Sequence, residues 1–376
     1  MKILILSCNT GGGHNSAAIA IRDTLVDAGH DCTFLDLFSI GSQKLSGRVS
    51  KAYLFSTKLS FLFRFCYWAG GKITRAGRRS PVYAANSLHA DRLYQYLQAN
   101  PCDVILMTHL FPAEQLTCLK HRGQLSIPTI AIGTDYTCIP FWEETDVDYY
   151  VLPHGDLAPE FVQRGMNPQT FLPFGIPVSP KVKQREEKLQ ARQRLAAGLL
   201  PGLEPEKPLL LIMSGSMGFG SSRQLVEELL QSGVDAEMCV VCGSNKKQEK
   251  RLRRRFKENE RVHILGYTQQ VPLLLHSADV VFTKPGGLTT TEVAVSRTPL
   301  VHTAPIPGCE NANAAFFASR GMSVSAKEPE EQCRAGIHLL QDRDAAHRMR
   351  ENQEKYIPGD ANEKLLACLE SHFAKS

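Results

Sequence analysis

The residues best suited to chemistry sit in short polar turns that follow apolar runs. The first is Gly11-Gly12-Gly13-His14, soon after the apolar run Ile3–Leu6. Glycines let the backbone reach positive φ and approach a ligand closely, and the start of the following helix offers free N–H groups to negative charge. A histidine held there, with an ordinary pKa near working pH, suits general-base work. The spacing Gly11-x-Gly13-x-x-Ser16, with Asp36 about twenty residues further on, also approaches a dinucleotide fingerprint. The third glycine of that fingerprint is missing. A nicotinamide or flavin oxidoreductase is therefore the rival reading, and an ordinary turn histidine the plainest one.

The second half of the chain repeats the arrangement. Gly215-Ser216 opens a glycine turn that runs to Gly220, and Cys242-Gly243-Ser244-Asn245 closes the next apolar run. Gly266-Tyr267-Thr268, then Lys284-Pro285-Gly286-Gly287 with Glu292 one helical turn later, then Pro307-Gly308-Cys309-Glu310-Asn311 complete the set. A glycine after a strand is commonplace taken singly. Several at one sheet edge make a nucleotide site, because open α/β sheets bind ligands at the carboxyl ends of their strands. In such a site Glu292 suits the two hydroxyls of a ribose.

Those turns need strands and helices to hold them. Lys2–Ser7 reads as a buried strand, Ser16–Asp27 as a helix with Ile19, Leu25 and Val26 inward, and Cys32–Leu37 as a second strand. This is the strand–helix–strand unit of a doubly wound domain. Val104–Met107, Thr129–Ile132 and Asp148–Leu152 continue the first half; Leu209–Ser214, Glu237–Cys242, Val262–Leu265, Val280–Thr283 and Leu300–His302 build the second. The expected architecture is α/β: two facing Rossmann-like domains with an interdomain cleft. The divisions are residues 1–180, a Pro-, Lys- and Gln-rich linker at 181–208, a nucleotide-binding domain at 209–350, and a C-terminal helix at 351–376 packing outside or back on the first domain.

Composition narrows the classes. A length of 376 residues suits two ordinary domains, and 17 Phe with 10 Tyr argue against disorder. The net charge of +5 is small for a general nucleic-acid binder. The 11 cysteines sit mostly in apolar runs, which points to a reducing, cytoplasmic setting. No apolar run is long enough for a signal-peptide core or a membrane span, so neither secretion nor spanning is expected. One segment stands apart. From Leu37 to Ala90 there is no Asp or Glu, while residues 44–79 carry Lys44, Arg48, Lys51, Lys58, Arg64, Lys72, Arg75, Arg78 and Arg79 among Phe, Tyr and Trp. Basic groups attract anionic headgroups and aromatics settle at the interface, so peripheral docking on an anionic membrane is expected there.

Taken in order, Gly12-Gly13-His14 with Ser16-Ala17, Thr134-Asp135, Phe174-Gly175-Ile176-Pro177-Val178, Cys242-Gly243, Lys284–Gly287 with Glu292, and Pro307-Gly308-x-Glu310-Asn311 resemble one group. It is the monogalactosyldiacylglycerol synthase and diacylglycerol glucosyltransferase family, related to the N-acetylglucosaminyltransferase of the lipid-linked peptidoglycan precursor. The resemblance runs to about Gly321. It implies the GT-B fold, a UDP-sugar donor and inversion at the anomeric carbon, with no cofactor and no essential metal.

The resemblance also implies roles. His14 would deprotonate the acceptor hydroxyl, with Gly12 and Gly13 close to donor phosphate and acceptor. Gly215 and Ser216 would hold the diphosphate beside Gly243, Gly286 and Gly287. Tyr267 and Thr268 would border the uracil, Glu292 the ribose, and Glu310 and Asn311 the sugar hydroxyls. Asp135 either orients His14 or contacts the acceptor, and capping a turn is the equal alternative. Cys309 stands where related enzymes have Gln, and a thiol is a poor partner for a sugar hydroxyl. The expected reaction moves a hexose from a UDP-sugar to a lipid hydroxyl, with diacylglycerol favoured, at the inner membrane face; the alternatives are N-acetylglucosamine transfer to another lipid-linked acceptor, or the oxidoreductase. Three lesser patterns are set aside: Asp146-x-Asp148 as a metal pair, Cys239-x-x-Cys242 as a redox pair, and the basic helix 246–257.

Overall fold

The computed structural model describes residues 1–8, 12–40, 79–213 and 222–373. Gly11, Gly215, Ser216 and residues 44–78 of the basic segment lie outside the described residues. The chain divides into two compact units. The first comprises Met1–Val178, the short stretch Pro307–Cys309 and the chain from Asp360; the second comprises Ser179–Ile306 and Glu310–Gly359.

The first unit holds a six-stranded sheet of order β2-β1-β3-β4-β5-β6, all parallel. Its strands are β1 (Lys2–Ser7), β2 (Asp31–Asp36), β3 (Val104–Met107), β4 (Thr129–Ile132), β5 (Tyr149–Val151) and β6 (Phe171–Leu172). Ile3, Ile5, Val104, Leu106, Ile130 and Ile132 are buried, as the continuous apolar runs of a parallel sheet covered on both faces require. Helix α1 (Gly12–Asp27) begins at Gly12, four residues before the expected start, so His14 lies in its first turn. Its buried face is Ala17, Ala18, Ile21 and Leu25, whereas Ile19 and Val26 are 38% and 49% exposed. Reading the inner face from large side chains misplaced it, because small alanines let this helix lie close on the sheet.

The second unit repeats the plan with order β12-β11-β10-β7-β8-β9, again all parallel. These are β7 (Leu209–Met213), β8 (Glu237–Val241), β9 (Val262–Leu265), β10 (Val280–Thr283), β11 (Leu300–His302) and β12 (Val324–Ser325). The two-residue strands β6 and β12 carry too little pattern to be read from sequence.

Residues 181–208 do not form a free linker. They fold into the second unit, where the helix Lys188–Ala197 docks through Arg192. Arg192 Nε donates to the Ser277 carbonyl at 2.9 Å, its other end pairs with Asp279, and Lys188 reaches Asp279 at 2.8 Å. The C-terminal stretch divides. The helix Arg343–Tyr356 belongs to the second unit, and α2 (Ala361–Phe373) to the first, where Leu365 and Leu369 join the core of Ile21 and Leu25. Among the described residues no helix is long and apolar enough to cross a membrane.

Candidate active site

In each sheet the strand order reverses beside the first strand, between β1 and β3 in one unit and between β7 and β10 in the other. Such switch points are where open α/β sheets leave a crevice for ligands. His14 follows β1, and Thr108-His109 follow β3, so both sides of the first switch point carry polar groups.

The His14 ring is anchored from that neighbour. Its Nδ1 lies 2.8 Å from the Thr108 carbonyl oxygen, with Thr134 Oγ1, from the end of β4, at 3.0 Å. A carbonyl only accepts, so the neutral ring carries its proton on Nδ1. The lone pair is thereby left on Nε2, which has no hydrogen-bond partner among the described residues. Thr108 Oγ1 donates in turn to the His14 backbone carbonyl at 3.0 Å, fixing both ends of the residue. Burial holds the His14 pKa below the usual histidine value; the charge of Asp135 and the Thr108 carbonyl act the other way and offset it in part. Asp135 is half-buried beyond Thr134, and acts on His14 as a nearby negative charge. Gly12 and Gly13 open the helix ahead of the histidine.

Sequence reasoning missed Thr108 and His109. The signal was available: a polar pair directly after the fully buried run Val104–Met107, at the same edge as the other strand-end turns.

The second unit gathers its groups at its own carboxyl edge. Gly286 is the N-cap of α3 (Gly287–Val295), whose first turn presents its N–H groups where a Cβ on Gly286 would meet nothing within 4 Å. Glu292 is half-buried, and its carboxylate makes no hydrogen bond or ion pair among the described residues. Burial raises its pKa to about 7. Gly243 takes φ 58°, a left-handed conformation that favours glycine at the end of β8. Tyr267 is 68% exposed, and Thr268 Oγ1 accepts the Gln270 N–H at 3.0 Å, holding the turn after β9.

Glu310, expected at the sugar hydroxyls, is buried and has partners within the protein. Its carboxylate pairs with Lys284 and accepts the Ile306 N–H at 2.7 Å, so it ties the turn after β10 to the loop after β11. Asn313, fully buried on the helix Cys309–Ser319 that also carries Glu310, adds a bond to the Pro285 carbonyl at 3.0 Å. Asn311 is exposed beside them.

The patterns set aside are committed elsewhere. Asp146 and Asp148 both pair with Lys120, at 3.3 and 3.0 Å, and Asp148 also accepts from Thr129. Cys239 and Cys242 are fully buried and unbridged. In the helix Lys246–Arg255, Glu249 pairs with Lys246 and Arg253. Among the described residues no group of three or more His, Cys, Asp or Glu could hold a metal ion.

The sequence profile of monogalactosyldiacylglycerol (MGDG) synthase matches residues 14–178, and that of glycosyl transferases group 1 matches residues 205–356. The processive diacylglycerol beta-glucosyltransferase of Bacillus subtilis is 28% identical over 369 residues, covering 97% of this chain and 94% of that protein. Over most of its length the chain is thus similar to the monogalactosyldiacylglycerol synthase and diacylglycerol glucosyltransferase group. The crystal structure of Acinetobacter baumannii MurG superposes with a TM-score of 0.60 at 13% identity, covering 98% of this chain and 99% of that one. Anabaena Alr3699/HepE in complex with UDP superposes with a TM-score of 0.59 at 13% identity, covering 99% and 100%. The fold is GT-B, and the chain is a UDP-sugar-dependent glycosyltransferase.

Proposed function

We propose that this chain moves a hexose from a UDP-sugar to the free hydroxyl of diacylglycerol, with inversion at the anomeric carbon. The observation that carries the chemistry is the His14 ring, with Nδ1 held on the Thr108 carbonyl and the Nε2 lone pair left open. In this reading Nε2 takes the acceptor proton as the hydroxyl oxygen bonds to the anomeric carbon, and the bond to the β-phosphate oxygen breaks with its electron pair leaving on UDP. The imidazolium so formed keeps its Nδ1–H on Thr108 and gains the negative charge of Asp135. The first-turn N–H groups of α3 meet the diphosphate, and Glu292 accepts the ribose hydroxyls. No step calls for a cofactor or metal.

The acceptor comes from the relatives, whose name specifies diacylglycerol and glucose. Cys309 leaves glucose, galactose and N-acetylglucosamine to be decided by the donor assay. We further infer that the chain works as a peripheral protein on the inner, anionic face of the cell membrane, through residues 44–79. The support is that segment's charge pattern; of it, only Arg79 is among the described residues, stacked on Tyr83 at 4.4 Å.

Mass spectrometry of lipids tests this reading directly. Purified protein is incubated with anionic vesicles containing diacylglycerol and with UDP-glucose, UDP-galactose and UDP-N-acetylglucosamine, together and then singly. Diacylglycerol heavier by one or more hexoses is expected. UDP binding without a shifted lipid would move the acceptor elsewhere, and neither binding nor product would sink the glycosyltransferase assignment.

A further inference from the structure

We propose that His109 is a positioning residue for His14: its ring walls one side of the base from water, while a helix cap holds its own proton on the nitrogen away from that cap. This rests on reading His14 as the base, and its grounds are geometric. The chain leaves β3 through Thr108, which takes the His14 Nδ1 proton on its carbonyl. The next residue sets its imidazole edge-on against His14, with ring centres 4.7 Å apart and planes at 77°. On its other side His109 meets Phe111 at 4.6 Å and 68°, and it is itself buried.

Its tautomer is also dictated by the backbone. His109 caps the helix Leu110–His121, its Nδ1 accepting the Phe111 N–H at 3.1 Å, so the neutral ring carries its proton on Nε2. The two touching rings therefore hold their protons on opposite nitrogens, one set by a carbonyl and the other by an amide.

The titratable groups that face His14 among the described residues are His109 and Asp135. Asp135 favours the charged ring and burial disfavours it, and burial prevails. His109 is held further below the ordinary histidine value by its own burial and then by His14, so the pair does not carry two charges. Removing the His109 ring hydrates His14 and lets it protonate at higher pH.

Two substitutions separate the wall from the cap. His109→Asn keeps an acceptor for the Phe111 N–H but loses the ring; His109→Phe keeps the ring but loses the acceptor. The pH dependence of kcat/KM is measured for both with UDP-glucose and diacylglycerol in lipid–detergent micelles. In His109→Phe the acid limb is expected at the wild-type position. In His109→Asn it moves up by about one pH unit, so kcat/KM on that limb falls about tenfold while the KM for UDP-glucose is unchanged.

The reverse pattern would reduce His109 to a helix cap and overturn the proposal, as would an unmoved limb in both variants. A fully active His14→Ala enzyme would remove the base and the proposal together, whereas an inactive one beside an unmoved His109→Asn limb would overturn only the role of His109. Should either His109 variant fail to fold, long-range proton–nitrogen NMR of the wild-type protein decides. Protons on His14 Nδ1 and His109 Nε2 support the proposal, and the opposite assignment for either ring overturns it.

Discussion

The two sheet edges are built to opposite specifications. At the first, His14 is fastened before any ligand arrives: Thr108 holds its side chain and its backbone, Thr134 shares the Nδ1 proton, and His109 packs on the ring. At the second, Glu292 has no partner among the described residues and Tyr267 stands in solvent. A base needs its orientation and protonation state set in advance, because misplacement costs rate. A recognition carboxylate gains by staying unpartnered, because any internal hydrogen bond would have to be broken before the ligand could form its own. Lys284 and Glu310 show the other choice at the second edge: they are spent on each other, to hold two loops in register.

If the edges differ in this way, substitutions in them should divide cleanly between rate and affinity. The largest effect is expected from His14→Ala, which should lower kcat about a thousandfold with the KM for the donor unchanged, the size of a typical general-base contribution. A parallel loss of UDP binding in titration calorimetry would break the division. Glu292→Ala should do the converse, weakening UDP binding roughly ten- to a hundredfold through lost hydrogen bonds to a charged group, with kcat little altered. A kcat loss without an affinity loss would place Glu292 in the chemistry instead.

The pH dependence of UDP binding sharpens the same contrast. Burial raises Glu292 to about 7, so part of the unliganded protein carries it protonated at neutral pH. Ribose hydroxyls donate best to the ionised form, so affinity should rise with pH through about 7 and then level off. Below that point binding should release a proton, seen by calorimetry in buffers of different ionisation enthalpy. Glu292→Gln should flatten the profile, and a curved profile in that variant would assign the titration to another group.

Smaller effects follow. Thr108→Val removes the bond to the His14 carbonyl and should lower kcat about fivefold, as for one neutral hydrogen bond of about 1 kcal/mol. No change would leave the Thr108 backbone as the whole of the anchor. Least of all, Cys309→Gln should favour a common hexose donor by a few-fold in competition assays, since an amide hydrogen-bonds a sugar hydroxyl better than a thiol does. An unaltered donor preference would remove Cys309 from sugar recognition.

Features that depend on local composition were legible in the sequence. The long strands announce themselves by unbroken apolar runs, and the glycine turns by their position after those runs. Residues 181–208 look like a linker because Pro, Lys and Gln are counted without Asp279, some ninety residues away, which holds Arg192 and Lys188. Likewise, nothing adjacent in sequence reveals Lys284 as the partner of Glu310. His14 could be picked out by type and place, but Thr108 and His109 belong to it only because β3 lies beside β1 in the sheet.

The last helix has a consequence for the order in which the molecule can be completed. Leu365 and Leu369 fill the core against Ile21 and Leu25 of the helix that carries His14. The residues of α1 precede Leu365 and Leu369 in the chain by more than three hundred positions, and the core they share with the sheet is completed by that later helix. Nearly all of the second unit therefore emerges between α1 and the helix that completes the core of α1. A fragment ending at Gly359 should accordingly leave α1 open to protease, and full protection of α1 in that fragment would show that its core closes without the C-terminal helix.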